Sequence, residues 1–518
     1  ALQLSEMAHS DIIGPAQALT LDGLFRERLR RTPTATAYRY YERRHSRWCE
    51  SSWQQMGDEV GRWQRAMRAE GLSPGDRVGV MLTNSREWVI FDQAALGLGL
   101  VTVPLYANDR PDNVSNIAAH AGIRLLLLQG HRQWRELRQA SDAIPGLRRI
   151  VCLDDAQCDT KNGQGRVVAL SAWVNGLGDT LQSGESDPRR LATIVYTSGT
   201  TGRPKGVMLS HGSIVENAYA ASRCVKFFGD DLFLSFLPLS HALERTGGYY
   251  LPMMVGAQVA FARSVQQLGE DLRQVRPTVL ISGPRIYEVF QARIASAMQN
   301  KPLHARWLLR LTKAIGWQRF EYLQGRARWF PGLLLWPWLE RRVAVPVTAA
   351  LGGRLRLAIC GGAALPPSVA RLFIGLGISL YQGYGMTEAG PVVSVNRPED
   401  NLPESIGTAL PGVEVRVGEN DELLVRSASL MQGYWDDPRA SSVAVDVRGW
   451  LHTGDQGRID RAGHIFITGR LKEIIVLANG EKVPPSDMEL AIAEDPLIEQ
   501  VMVVGEARPF LAALAVLS

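Results

Sequence analysis

The chain has 518 residues, 46% hydrophobic and 21% charged, with a formal net charge of +5 and a pI near 9.0. That length exceeds a single core and implies two or more domains, and the composition is that of a globular enzyme. Lys and Arg are dispersed, which argues against nucleic acid as a partner, and the mild basic balance suits anionic ligands such as nucleotides, or an anionic membrane surface.

Cys49, Cys152, Cys158, Cys224 and Cys360 form no C-x-x-C pair. A disulfide framework or zinc site is therefore not expected, and a reducing cytosol is. No apolar run reaches the roughly 20 residues that span a bilayer. No signal peptide opens the chain, and a first residue of Ala implies a trimmed start.

In chain order, Val60–Glu70 predicts an amphipathic helix closed by Gly71. A short strand follows over Arg77–Leu82, a helix over Trp88–Leu98 and a strand over Val101–Leu105. This alternation predicts an α/β layered domain with largely parallel sheet. Residues 155–190 are polar and read as a surface connection. The α/β alternation resumes from Ile194 to Leu410, and 411–468 reads as a small β-rich unit of short strands punctuated by Gly.

The apolar strand Leu191–Val195 leads into Tyr196-Thr-Ser-Gly-Thr-Thr-Gly-Arg-Pro-Lys-Gly206. Gly199 and Gly202 let the backbone turn its N–H groups inward as an anion-binding concavity. Thr197, Ser198, Thr200 and Thr201 add hydroxyls, and Lys205 adds a cation for phosphate oxygens. The spacing is not that of a Walker A loop. The bland alternative is a polar hairpin loop.

Tyr384-Gly385-Met386-Thr387-Glu388 follows an apolar segment. Tyr384 offers a face for a purine, and Glu388 an oxygen for Mg²⁺. The same residues are equally an aromatic and an acid at a strand end. Asp455, after Gly454, could accept ribose hydroxyls, and Arg470, after Gly469, could hold a ribose or phosphate oxygen. Alone, each is more often a turn residue or a solvated charge. Their joint occurrence in this order favours a nucleotide site.

These four motifs resemble the adenylate-forming superfamily of acyl-CoA synthetases, luciferases and peptide-synthetase adenylation domains, over essentially the whole chain. Leu237-Pro-Leu-Ser-His-Ala-Leu-Glu-Arg245 and Gly383–Arg397 are similar to the long-chain fatty acyl-CoA synthetase branch. The resemblance implies a large multi-layered α/β N-terminal domain with mostly parallel sheets over 1–470, including a β-rich subdomain at about 411–468. A small, mobile α+β C-terminal domain begins at 471 and is incomplete at 518.

The implied reaction activates a long-chain fatty acid with ATP and Mg²⁺, then transfers the acyl group to coenzyme A. By the motif match, Ser198 to Lys205 hold the β- and γ-phosphates. Thr387 touches the α-phosphate, and Glu388 ligates Mg²⁺. Tyr384 stacks on adenine beside Gly361, Gly362 and Ala363. Asp455 and Arg470 take the ribose, and Lys472 is the hinge. His241 and Gly283 fall in the acyl pocket, whose wall is expected over Val279–Tyr287. Gly480 approaches coenzyme A. For His241 and the wall, ordinary core packing is the competing reading.

Residues 304–342 hold five of the 13 tryptophans and eight Lys/Arg against two acids. Basic charge with Trp and Leu marks a membrane-interface segment. Leu308, Leu311 and Ile315 follow helical spacing, and Pro331 and Pro337 break the segment. A cytoplasmic protein, peripheral on the inner membrane face, is expected. A helical insert packed on the body with solvated Arg is the competing reading. The family's C-terminal adenylation lysine falls beyond Ser518, which leads to an expectation of weakened adenylation. A ligase with a carrier-protein acceptor, or a non-catalytic acyl- or nucleotide-binding remnant, remain as alternatives.

Overall fold

In the computed structural model, Ile123–Leu128 is buried on both faces. Leu125 and Leu127 point into one core while Leu126 and Leu128 point into another. Val279–Ser282 does the same, with Ile281 and Leu280 in different cores. Strands apolar on both faces require cover on both sides, as in parallel sheets between helical layers. The structure describes residues 11–141, 144–154, 166–182, 184–197 and 204–471, then 475–477, 482–483, 485, 488–489, 492, 495, 497–506 and 508–517.

Two large sheets result. The first has eight strands in the order Gly433–Tyr434, Lys205–Ser210, Leu191–Thr197, Val101–Pro104, Arg77–Met81, Ile123–Leu128, Arg149–Cys152, Val167–Ala169. Its pairings are parallel from Leu191–Thr197 to Val167–Ala169. The second has nine, in the order Thr408–Ala409, Val392–Val395, Leu380–Gly385, Leu357–Cys360, Val279–Ser282, Leu232–Ser235, Gln258–Phe261, Thr36–Glu42, Arg47–Ser52. A four-stranded antiparallel sheet, Glu414–Val417, Glu422–Arg426, Leu451–Ile459 and Ile465–Arg470, forms in the stretch that reads as β-rich. Two small hairpins follow, Ile475–Val476 with Lys482–Val483, and Ile498–Val504 with Ala512–Leu517.

Between the large sheets lie helices such as Trp53–Ala69, Arg86–Gly97 and His211–Ser222, sharing one core with both. Trp53, Met56, Val60, Trp63 and Met67 recur every three to four residues and are buried. Ser52 starts this helix: its hydroxyl accepts from Gln55 N at 3.2 Å, and Gln55 Oε1 accepts from Ser52 N at 2.9 Å. Helices Pro111–Ala121 and His131–Ser141 cover the far face of the first sheet, and Pro284–Gln299, Leu303–Leu323 and Pro367–Gly375 that of the second.

One expectation changes and another holds. The stretch 155–190 is more than a connection: Val167–Ala169 extends the first sheet and Leu170–Trp173 is helical. Trp173 packs edge-on to Trp63 at 5.8 Å and donates to Glu70 at 3.0 Å, so a short apolar run in polar sequence finds its partners only in three dimensions. The Trp-rich insert does begin with one unbroken helix, Leu303–Leu323. Pro331 and Pro337 then open a 3₁₀ turn, Pro331–Leu335, and a short helix, Trp336–Leu339.

Candidate active site

Strands Leu191–Thr197, Val279–Ser282, Leu357–Cys360 and Leu380–Gly385 all end at one cavity of about 1380 Å³. Crevices at the carboxyl ends of parallel strands are where open α/β sheets bind ligands. The lining falls into two sets. Thr197, Lys205, Thr387, Glu388, Thr453 and Arg470 are polar. Ala221, Val225, Phe227, Leu251, Ile281 and Ile359 are apolar.

The loop expected to hold phosphates connects two paired strands at the sheet edge. Leu191–Thr197 pairs antiparallel with Lys205–Ser210, and Thr197 lies opposite Lys205. Ser198, Gly199, Thr200, Thr201 and Gly202 lie outside the described residues. Tyr196 anchors the incoming strand, its hydroxyl 2.6 Å from His120 Nδ1. The Lys205 ammonium sits over the Tyr434 ring, 4.8 Å from its centroid, and has no carboxylate partner among the described residues. The Tyr434 hydroxyl donates to Glu388 Oε1 at 2.9 Å. Burial, with the Glu388 charge second, pushes the Tyr434 phenol well above its usual range, so it stays a donor. This leaves Lys205 and Glu388 as a cation and an anion facing one cavity.

A second cluster joins Tyr384, Asp455 and Arg470. Asp455 is buried, and one carboxylate oxygen accepts from the Tyr384 hydroxyl. The other accepts from Arg470 Nε at 2.7 Å. The pair Asp455↔Arg470 is fixed by register, since Leu451–Ile459 and Ile465–Arg470 are antiparallel neighbours. Thr453, Gly454 and Arg470 face the cavity while Asp455 lies behind them. A ribose would have to share Asp455 with Tyr384 and Arg470.

Gly361, Gly362, Tyr384, Gly385, Met386, Thr387 and Glu388 all line the cavity. Ala363 is exposed and is not in the lining. No described metal cluster of three or more His, Cys, Asp or Glu exists. Glu388, a carboxylate on the cavity lining, would suit Mg²⁺, which is usually bound through one or two carboxylates together with substrate phosphates.

The motif Leu237–Arg245 supplies three different groups. His241 caps the helix Ala242–Arg245, its Nδ1 accepting from Leu243 N at 3.3 Å, and it lines the cavity. Desolvation by burial holds its imidazole below the ordinary pKa. Glu244 is fully buried, and burial pushes its carboxyl up to about 8. Arg245 is buried too. It binds Asp92, donates to Thr102 Oγ1 and Thr193 Oγ1 at 2.7 Å each, and to the Tyr250 hydroxyl at 3.1 Å.

The expected wall Val279–Tyr287 contributes only Ile281 to the lining. Gly283 ends the strand as N-cap of Pro284–Gln299 and is not in the lining. The turn carries Tyr287 to the other side of the sheet, where it is fully buried, hydrogen-bonded to Ser282 at 2.8 Å and edge-on to Phe373 at 5.3 Å. Lys472 and Gly480 lie outside the described residues.

Sequence reasoning missed Tyr434, and also Ala221, Val225 and Phe227 at and just beyond the end of helix His211–Ser222. It missed Gly247 and Leu251 from the π-helix Thr246–Tyr250 and the turn after it. Gly433-Tyr434-Trp435 ahead of Pro438 was the available signal for the first. π-turns often mark functional sites, but their widened geometry leaves no sequence signature.

The chain belongs to the AMP-binding enzyme family, whose model matches residues 25–435, and the model of the AMP-binding enzyme C-terminal domain matches 472–518. Acyl-CoA ligases of this family use ATP, Mg²⁺ and coenzyme A. Among the relatives, the long-chain-fatty-acid–CoA ligase FadD15 of Mycobacterium bovis is 32% identical over 453 residues, 86% of this chain and 73% of that protein. The long-chain-fatty-acid–CoA ligase heimdall of Drosophila melanogaster is 30% identical over 464 residues, 86% of this chain and 68% of that protein. The crystal structure of the anthranilate CoA ligase AuaEII with anthranoyl-AMP superposes with a TM-score of 0.76 at 19% identity. It covers 96% of this chain and 86% of that one. At that identity it shows the adenylate-forming fold alone.

Proposed function

We propose that this protein is an AMP-forming long-chain fatty acid–coenzyme A ligase. One observation carries the reading: a single cavity of about 1380 Å³ joins a polar lining, with the carboxylate of Glu388 and a lysine that has no carboxylate partner among the described residues, to an apolar lining. Ligand pockets of this kind pair a few placed polar groups with a mostly apolar wall. The names of the relatives support the acyl-CoA ligase class, and the apolar set supports the fatty acid.

In this reading the acid's carboxylate attacks the α-phosphorus of ATP and pyrophosphate leaves. The thiolate of coenzyme A then attacks the acyl carbon and AMP leaves. Carboxylate and triphosphate repel each other, so the protein's contribution is positioning and charge neutralisation. Lys205 neutralises phosphate oxygens, and the hydroxyls of Thr197, Ser198, Thr200 and Thr201 donate hydrogen bonds to them. Glu388, its rotamer fixed by Tyr434, would hold Mg²⁺, which would offset the negative charge of the triphosphate. Thr387 donates to the α-phosphate. Tyr384 stacks on adenine, pinned by Asp455, and Gly361 and Gly362 let the base approach the backbone. His241 stands where acid meets nucleotide. Lys472 and Gly480 serve the hinge and coenzyme A.

ATP–pyrophosphate exchange over acids from short to long chain tests the first half-reaction, and thioester formation with coenzyme A or a carrier protein tests the second. We expect exchange to rise with chain length and acyl-CoA to form. Exchange with no acid, or a thioester formed only on the carrier protein, would sink the proposal.

A further inference from the structure

Residues 304–342 carry eight Lys/Arg and two acids, so their formal charge of +6 exceeds the +5 of the entire chain. The net positive charge of this protein is thus carried by one segment, although Lys and Arg themselves are spread along the chain. Helix Leu303–Leu323 docks on the body through buried Thr312, Ile315 and Gly316, and short Trp336–Leu339 through buried Trp336 and Leu339. The opposite face of the long helix presents Leu303, Trp307, Arg310, Ala314, Gln318 and Tyr322, spaced three to four residues apart and all exposed. A helix on a water-facing surface puts its polar residues there. This one puts Leu303 at 80% and Trp307 at 62% exposure, and the segment after it adds Trp329, Leu334, Leu335 and Trp338.

The charges are available as well. Glu321 is taken by Arg326 at 3.0 Å. Arg310, Arg328, Arg341 and Arg342 are exposed and make no ion pair among the described residues. Beside the helix a groove of about 370 Å³ opens against Pro367–Gly375. Trp317 lines it, with the Arg371 guanidinium stacked 4.9 Å from its ring; Lys313 lies alongside and Glu404 is also in the lining.

We propose that this face docks on a bilayer containing anionic phospholipid. Trp307, Trp329, Trp338 and the exposed leucines enter the headgroup–acyl boundary. The arginines meet lipid phosphates, and the Lys313–Trp317–Arg371 groove seats one headgroup. Trp and Leu interleaved with Arg is the chemistry of that interface. No described helix is long and apolar enough to cross a membrane, so the contact is lateral. A second copy is the poorer occupant, because a symmetric contact would set +6 against +6. Nucleic acid would use the charge and leave Leu303, Leu334 and Leu335 in water.

The test is co-sedimentation of the whole chain, without substrates, with phosphatidylcholine vesicles and with vesicles about one-third phosphatidylglycerol, at about 50 mM and about 500 mM salt. Binding to the anionic vesicles at low salt is expected, falling roughly tenfold in high salt, on neutral vesicles, and in each of the variants R341E/R342E and W307S/W338S. All four changed side chains are exposed, and matching melting curves establish that the variants fold. Several outcomes overturn the proposal: no binding to anionic vesicles at low salt, equal binding to neutral ones, or binding unchanged in both variants. A dimer abolished by W307S/W338S, or a DNA mobility shift abolished by R341E/R342E, each without vesicle binding, overturns it equally.

Discussion

Glu244 is a carboxyl group with apolar surroundings, and neither oxygen has a hydrogen-bond partner of good geometry. Burial raises its pKa to about 8, and the Ser235 hydroxyl offsets this only in part. The sign of the consequence follows from proton counting. Between its ordinary 4.5 and about 8 the unfolded chain releases a proton that the folded chain keeps. Glu244 therefore lowers stability as pH rises through that window and adds no further slope above it. One pKa unit corresponds to about 1.4 kcal/mol, so the total is several kcal/mol. E244Q should flatten the pH dependence: relative to the parent, its melting temperature should rise steadily from pH 5 to pH 8. A constant offset between the two proteins across that range would show that Glu244 is ionised in the fold. The sequence places Glu244 beside His241 in one motif. It does not say that one side chain faces the cavity and the other is sealed behind it.

At the scale of elements, the π-helix Thr246–Tyr250 forms one wall of the apolar lining through Gly247, facing Ile281 from Val279–Ser282. A Cβ at position 247 would stand 2.8 Å from Ile281 Cδ1. G247V should therefore narrow this branch. If the branch holds the acyl chain, kcat/KM for long acids should fall on the order of tenfold or more, with that for short acids changed far less. Equal losses for short and long acids would move the acyl chain elsewhere. Periodicity revealed that helices and strands alternate here. It could not tell which strand residue faces the cavity, because Leu280 and Ile281 are both apolar and both buried.

Across the whole molecule, Arg245 ties together elements far apart in sequence. Its guanidinium joins Asp92 on helix Arg86–Gly97, Thr102 on Val101–Pro104 and Thr193 on Leu191–Thr197. Tyr250 donates to Asp92 at 2.6 Å and Tyr249 at 3.2 Å. The cavity wall that begins at His241 is thereby fastened to strand Leu191–Thr197, which ends at the cavity. R245M would leave Asp92 buried without its cation. We expect a loss of about 3–5 kcal/mol in denaturant unfolding, the cost of breaking one partner of a buried ion pair. A loss below about 1 kcal/mol would mean that the two tyrosines suffice for Asp92.

The sequence by itself determined the α/β class, the family, and most of the cavity's polar rim. Thr197 and Lys205, Tyr384 to Glu388, and Arg470 each lie in short runs at strand ends, where chemistry and backbone geometry coincide. Only the tertiary structure decided the rest. Tyr434 meets Glu388 and Lys205 because a two-residue strand, Gly433–Tyr434, lies far beyond Lys205-Gly206 in the chain yet joins the sheet edge, pairing with Val207 and Met208. The apolar wall comes from helix ends whose sequences look like any core. The Trp-rich insert was legible as basic and aromatic, yet its division into a packed face and an exposed one depended on where Gly375 and Trp336 stand against Gly316. Local sequence fixes which groups are present and how the backbone turns. Which of them share a cavity depends on long-range packing, and no short window of the chain contains that.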